Sequence, residues 1–456
     1  MANNKEFRLL STSGLLGYGF PESSLKAALE RNPDVIGVDG GSTDPGPFYL
    51  GSGKCLNSDK AMRRDLRLML NAARQKKVPL VIGSCGGAGG EPHLQQVAKL
   101  AREIAREDGL NFKMALIHAD QEKSKVGGWL KEGRIRALKN VPVLDSPTVE
   151  RAARIVGMMG AEPFMRALDD GAEVVLAGRA SDAASWAGCA MHAGMPAAPS
   201  WYAGKMLECG TATAIPKGHD CLMTIVRSDH IELEPSNPAR RCTPFSVATH
   251  GLHENASALV HEEPGGILDA TDCEFTAVTD RATRVSRMVW RKQPYSIKLE
   301  GAELVGYRAI TICGTRDPIL ISQIDSYLAT FRDDVQMRAA AFGVSPEKYQ
   351  LMLHVYGKDG VMGAAEPVKQ ISSHELGILV EVVATNQEDA NAVLAIARVV
   401  LPKIDFVGRL CKSGNMAFPF SPSDIGMGET YKFSVFHVLE TEDPYGMFPI
   451  EYEKVH

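Results

Sequence analysis

The chain has 456 residues, 45% of them hydrophobic and 23% charged, with 50 Lys and Arg against 55 Asp and Glu for a net charge of −5. Such a profile describes a folded globular chain with room for two or three domains, and it excludes an intrinsically disordered one. The slightly acidic balance, without a Lys/Arg stripe, offers no footprint for nucleic acid, and no apolar run approaches the roughly 18 residues of a membrane span. Neither nucleic acid nor a membrane is therefore expected as a partner. The opening MANNKEFRLL shows no apolar core and no small-residue cleavage site of a secretory leader, so a cytoplasmic location is expected. Nine cysteines, none in a CxxC pair, read as reduced thiols rather than as a zinc site or a redox dithiol.

The first 200 residues alternate strand and helix. Residues 7–13 read as a short apolar strand, followed by an amphipathic helix over SLKAALER. Residues 34–39 are the next strand and open into GGSTDPGPFYLGSG. Met62, Leu66, Met69 and Leu70 then recur at helical spacing, and the strand VPLVIGS leads into GSCGGAGGEPH at 83–93. Leu94, Val97, Leu100, Ala101, Ile104 and Ala105 place one apolar face on a helix over EPHLQQVAKLAREIARE. Strands at 112–120, 141–145 and 173–182 complete the series, with helices near 148–158 and 161–169. Apolar strands separated by helices predict an α/β domain over residues 1–215, a parallel sheet with helices on both faces. Residues 216–345 read as a mixed, β-richer region, from the alternation in CLMTIVRSDHIELEPS, CEFTAVTD and TRVSRMVW. Residues 346–456 read as a small α+β domain, from YQLMLHVYG, ELGILVEVVAT, the helix QEDANAVLAIARVVL and YKFSVFHVLE.

In such sheets, ligands collect where loops leave the carboxyl ends of the strands. The unusual loops STSGLLGYG, DGGSTDPGP, SCGGAGGEPH, HADQE and GRASDAASW all stand at such ends. Neither a GxGxxG fingerprint nor a Walker A ending is present. Anion capture remains: amides of GGAGG running into a helix N-terminus favour carboxylate or phosphate, which makes Gly86, Gly87 and Gly89 candidate substrate-binding residues. The same loop is also what a tight connection looks like.

Glu91 and His93, in the first turn of that helix, are candidate acid–base residues, although a glutamate there also suits the helix dipole. Cys85 fits a buried inert thiol better than a nucleophile. In DGGSTDPGP, Asp39 is a candidate catalytic carboxylate and Asp44 a candidate substrate-binding one; the pair also suits divided acid–base roles, a weakly held Mg²⁺ or Mn²⁺, or simply a turn. In GRASD, Arg179 is a candidate reader of a substrate carboxylate and Asp182 a further catalytic candidate, with a structural Arg–Asp clamp as the competing view. Glu208, beside Cys209 in LECG, is a candidate substrate-binding carboxylate. His250, His253 and Glu254 in THGLHEN follow HxxHE rather than HExxH, the pattern of a surface turn. No metal ligand set is assigned.

Three stretches carry a resemblance: GAEPFMRALDDGAEVVLAGRASDAASWAG at 160–188, WYAGKMLECGTATA at 201–214 and KLEGAELVGYRAITICGTRDPILI at 298–321. They resemble the acyclic terpene utilisation family of bacterial catabolic gene clusters, from about residue 7 to the 380s, with GRASD and LECG the most specific parts. SGNMAFPFSPSDIGMG is similar to a small companion domain that accompanies such proteins. The resemblance implies a cytoplasmic catabolic enzyme handling a branched carboxylic acid or its acyl-CoA thioester. VDGGSTDPGPFYLGSG departs from the form seen in terpene-cluster members. With no nucleophile elbow and no nicotinamide fingerprint, the expectation is a lyase or hydratase acting on a branched or hydroxy carboxylate or acyl-CoA, with the glycine loop as an anion cradle opposite Arg179. A non-catalytic ligand-binding or scaffold subunit and a hydrolase stay open as alternatives. A homo-oligomer, with a small partner subunit as an option, is expected.

Overall fold

Five strands form the parallel heart of the protein: β1 (Phe7–Ser11), β2 (Val35–Asp39), β3 (Leu80–Gly83), β4 (Phe112–Ile117) and β5 (Val174–Ala177). They lie side by side in the order β1-β2-β3-β5-β4, with Leu9 opposite Val35 and Ile36 opposite Leu80. This is a computed structural model that describes residues 6–252, 257–412 and 415–456. Successive residues of a strand point to opposite faces, so a strand covered on both sides must be apolar throughout. Leu9, Val35, Val81 and Val175 accordingly join one core, with Phe164, Trp186 and Trp201. Their neighbours Leu10, Ile36, Ile82 and Leu176 join another, with Leu66, Met69, Leu94, Val97 and Ile104. The helices Asp59–Lys76 and Glu91–Asp108 supply the second core, and Glu162–Asp169, Ala184–His192 and Ala197–Leu207 supply the first. The expected parallel α/β layer with helices on both faces is what the chain builds.

Four strands of the β-richer region extend this same sheet. They are β6 (Leu222–Val226), β7 (His230–Pro235), β8 (Glu274–Ala277) and β9 (Thr283–Ser286). β6 runs antiparallel beside β1, followed outward by β7, β9 and β8, while Ile450–Val455 closes the far edge against β4. The chain divides into compact units at 303/304 and 432/433, one of residues 1–303 with 433–456 and one of 304–432. Backbone pairing to β1 binds residues 222–286 to the N-terminal layer, whatever their local texture.

Two local expectations are corrected. Residues 141–145 are irregular rather than a strand, and 148–158 are not one helix: a short helix, Ser146–Arg151, gives way to the strand Ala152–Gly157. That strand pairs antiparallel with residues 299–303 of the long strand Ser296–Thr315, a partner some 150 residues away that no local pattern announces.

The second unit, taken by itself, runs strand–helix–strand–strand–helix–strand. Its longer helices are Ile324–Ala341 and Gln387–Val400, and its sheet order is Tyr349–Tyr356, Leu376–Ala384, then residues 304–315 of the strand Ser296–Thr315 and residues 425–432 of the strand Ile425–Glu440. This is the split βαβ arrangement of ferredoxin-like units. Its core gathers Phe331, Val335, Ile378, Val380, Val393 and Leu394. All nine cysteines are thiols, and no helix among the described residues is long and apolar enough to cross a membrane.

Candidate functional site

The glycine loop after β3 is wholly buried, and its neighbours explain its composition. Gly89 stands at φ +65, and a Cβ there would lie 2.3 Å from the Arg179 amide nitrogen. A Cβ on Gly40, after β2, would meet the carbonyl oxygens of Gly83 and Ser84 at 2.5 Å. Three loops thus cross with backbone against backbone, which is what glycine permits. The Ser84 hydroxyl ties the crossing together: it donates to Ala180 O and accepts from the Ala180 amide and Arg179 Nη1, each at 3.2 Å. The amides of Ser84, Cys85 and Gly87 are bonded to Gly178, Ala177 and Ser84 carbonyls. Gly86, Gly87 and Gly89 lie buried in this crossing and do not border the cleft described below. They let the loop serve as the block on which residues 178–182 rest.

His93 closes that loop as a cap. Its Nδ1 accepts from the Gly90 amide at 3.2 Å, which leaves the proton on Nε2, donated to Tyr49 O at 3.0 Å and Lys54 O at 3.1 Å. The side chain has no exposure, and burial, with the Arg154 charge, lowers its pKa below the ordinary histidine value. Glu91 points elsewhere, to His118 Nδ1 at 2.7 Å and Gln95 Nε2 at 2.9 Å. The structure brings neither residue to the cleft described next. Cys85 is fully buried, and burial pushes its thiol up, as fits an inert side chain.

Arg179 is the clamp rather than the substrate reader. Its Nε donates to Glu300 Oε2 at 2.8 Å, and its Nη1 to Asp182 Oδ1 at 3.0 Å and Ala180 O at 2.7 Å. Glu300 is fully buried and also accepts from Lys298 Nζ at 2.7 Å and the Thr43 hydroxyl at 3.1 Å. Burial alone would raise its carboxyl, but Arg179 and Lys298 prevail and hold it down at about 2. Glu300 thus fixes the arginine that fixes Asp182. It was not among the residues singled out from sequence, because its partners come from positions 43, 179 and 298.

A cleft of about 560 Å³ opens at the carboxyl ends of β1, β2 and β5, where Tyr18, Asp39, Asp182, Glu208, Lys217 and His219 are among the residues that border it. Four of the residues read from sequence, Asp39, Asp44, Asp182 and Glu208, line it together. Asp39 ends β2 and accepts the Gly41 amide at 3.2 Å. Burial first, then the Asp182 charge, raise its carboxyl well above the usual range. Glu208 follows the helix Ala197–Leu207, 2.5 Å from Lys205 Nζ. Burial and the Asp182 charge push it up to about 8 against the pull of Lys205. Glu263, also missed from sequence, accepts the Ser181 hydroxyl, and burial takes it up to about 7. Asp44 is exposed at the rim, as are Lys217 and His219, the latter edge-on to Tyr18 at 4.8 Å.

The chemical consequence is a division of labour. Asp182 is ion-paired with Arg179, and its charge adds to burial in raising the Asp39 and Glu208 carboxyls. Carboxyl groups whose environments drive them apart are the ordinary means of running acid and base in one site.

Residues 56–214 match the model of the acyclic terpene utilisation family protein AtuA. The resemblance carried by GRASD and LECG is borne out over that span. The AtuA match contains Arg179, Asp182, Glu208 and Cys209, whereas Asp39, Asp44, Glu263 and Glu300 lie outside it. No curated protein and no solved structure matches the chain.

Proposed function

We propose that the chain is a catabolic enzyme of the lyase or hydratase class, acting on a hydroxy or branched carboxylic acid or its CoA thioester. The AtuA match supports a catabolic setting. The observation that carries the reaction class is that Asp39 and Asp182 share one cleft, the first with its carboxyl raised well above the usual range by burial and the second ion-paired with Arg179. In the dehydration direction, the Asp182 carboxylate takes the proton from the carbon next to the acyl group. The C–O bond at the following carbon breaks, its electron pair leaves with the hydroxyl, and the Asp39 proton completes a water molecule. A C=C bond is left. Asp39 and Asp182 exchange the proton with solvent through the open mouth, and hydration is the same sequence reversed. Lys217 and His219 at the rim are positioned to meet a substrate anion.

The test is turnover by the purified full chain, offered 3-hydroxy acids, their CoA thioesters and the matching enoyl compounds. Reversible loss and gain of water by the chain alone is the expected result. Turnover that begins only when a second subunit is added favours the ligand-binding or scaffold alternative, and hydrolysis of the thioester favours the hydrolase.

A further inference from the structure

Among the described residues, Glu208, Cys209 and His250 bring a carboxylate oxygen, a sulfur and an imidazole nitrogen within 4.8 Å of one another. The reaction proposed above uses neither Cys209 nor His250. We infer that these three side chains form a zinc-type transition-metal site on the wall of the cleft.

The ligands come from two elements. Glu208 and Cys209 follow the last turn of Ala197–Leu207, while His250 is on the helix Pro244–Gly251. The two meet closely, since a Cβ on Gly251 would lie 3.2 Å from the Tyr202 hydroxyl. Glu208 and His250 are each only 6% exposed, and Glu208 and Cys209 both line the cleft. One sulfur, one nitrogen and one oxygen is a donor set for zinc or cobalt, whereas magnesium and manganese favour oxygen alone. Asp39 and Asp44, the sequence candidates for Mg²⁺ or Mn²⁺, belong to no such group among the described residues.

Zinc bonds of about 2.0–2.3 Å in a tetrahedron place ligand atoms roughly 3.3–3.8 Å apart. The widest pair here would need to draw in by roughly an ångström, a side-chain rotation rather than a backbone shift. Lys205 Nζ already holds Glu208 Oε1 at 2.5 Å, the kind of outer partner that orients a ligating carboxylate, and the other oxygen remains for a metal. Three protein ligands leave a tetrahedral site one open position, and two of the three stand on the cleft wall. Beside Lys205, His261 is only 3% exposed, and neither ring nitrogen has a hydrogen-bond partner among the described residues. Burial and the Lys205 charge keep that imidazole neutral. A buried imidazole is rarely left with both nitrogens unsatisfied in a closed core. His253 and Glu254, noted with His250 in the sequence, lie outside the described residues.

The experiment loads the purified full chain with Co²⁺ or Zn²⁺, removes excess by desalting, and counts metal by elemental analysis. Wild type should keep one equivalent per chain, and the cobalt form should show a thiolate-to-metal charge-transfer absorption. Cys209→Ser should keep its melting temperature in metal-free buffer and lose that absorption. His250→Ala should weaken binding by at least about 100-fold, since even outer-shell partners cost 10–100-fold. Wild type that retains no stoichiometric metal, or a Cys209→Ser cobalt form that keeps the absorption, overturns the assignment. If His250→Ala does not fold, the conservative Cys209→Ser variant decides alone. None of these readouts involves turnover, so a failure here and a failure of the proposed reaction are distinguishable.

Discussion

Removing one buried charge, with Glu300→Gln, should destabilise the first unit by an amount the structure sets. Glu300 has no exposure, and Arg179, Lys298 and Thr43 all donate to it. The amide keeps the shape but loses the charge, and its NH₂ must face one of two cationic donors. Breaking a buried pair by removing one partner typically costs about 3–5 kcal/mol. The pH linkage offers a second route to the number. The carboxyl is held down at about 2 against an ordinary 4.5. A depressed folded-state value stabilises above the unfolded pKa and loses that stabilisation as pH falls. Wild type should therefore gain roughly 3 kcal/mol from this group at pH 7 and roughly 2 kcal/mol at pH 3.5. Against a total of about 5–15 kcal/mol, the loss is large. Urea unfolding read by tryptophan fluorescence is the assay, since Trp129, Trp186, Trp201 and Trp290 are all in residues 1–303. A Glu300→Gln protein within about 1 kcal/mol of wild type at pH 7, or a deficit that does not shrink at pH 3.5, would refute the clamp.

His93→Ala should cost roughly 2–5 kcal/mol, because the Gly90 amide and two carbonyls lose their partner. Its folded fraction should turn over at the wild-type rate, and a variant with an intact melting temperature but no activity would return His93 to the chemistry. Gly89→Ala should destabilise far more than Gly109→Ala, although the two backbones have nearly the same φ, +65 and +66, because only Gly89 has an atom in the way of a Cβ. Equal losses in thermal melts would mean that the loop crossing can give. His261, whose buried ring is lowered to about 4 from 6.5, should make stability fall as pH drops below 6.5. Urea series at pH 7 and 5 should show a loss of about 2 kcal/mol in wild type that is absent in His261→Leu, and identical pH slopes would contradict this.

Much of the layer was legible because a strand covered on both faces has to be apolar throughout, as Val35–Val38 and Val174–Ala177 are. Asp39, Asp44 and Asp182 were legible for a topological reason: polar residues beside glycines at the carboxyl ends of parallel strands stand where a cleft forms. What stayed hidden depended on distant partners. Ala152–Gly157 reads as helix until residues 299–303 lie beside it. Arg179 carries the same local signal as a substrate reader or a clamp, and only Glu300 decides which. His93 has the chemistry of a base, but Tyr49 and Lys54 claim its proton. Glycines that serve a ligand and glycines that serve a neighbouring loop look alike in sequence, and here a Cβ on Gly89 would run into the Arg179 backbone.

The central claim is that Asp182 removes a proton and Asp39 supplies one. Exchange of the substrate's α-hydrogen with deuterated water, followed by NMR on the purified full chain, reads the first of these steps by itself. Asp182→Asn should slow the exchange by about 100-fold or more. Asp39→Asn should continue to exchange while losing dehydration. An Asp182→Asn protein with an unchanged melting temperature that exchanges at the wild-type rate would contradict the account.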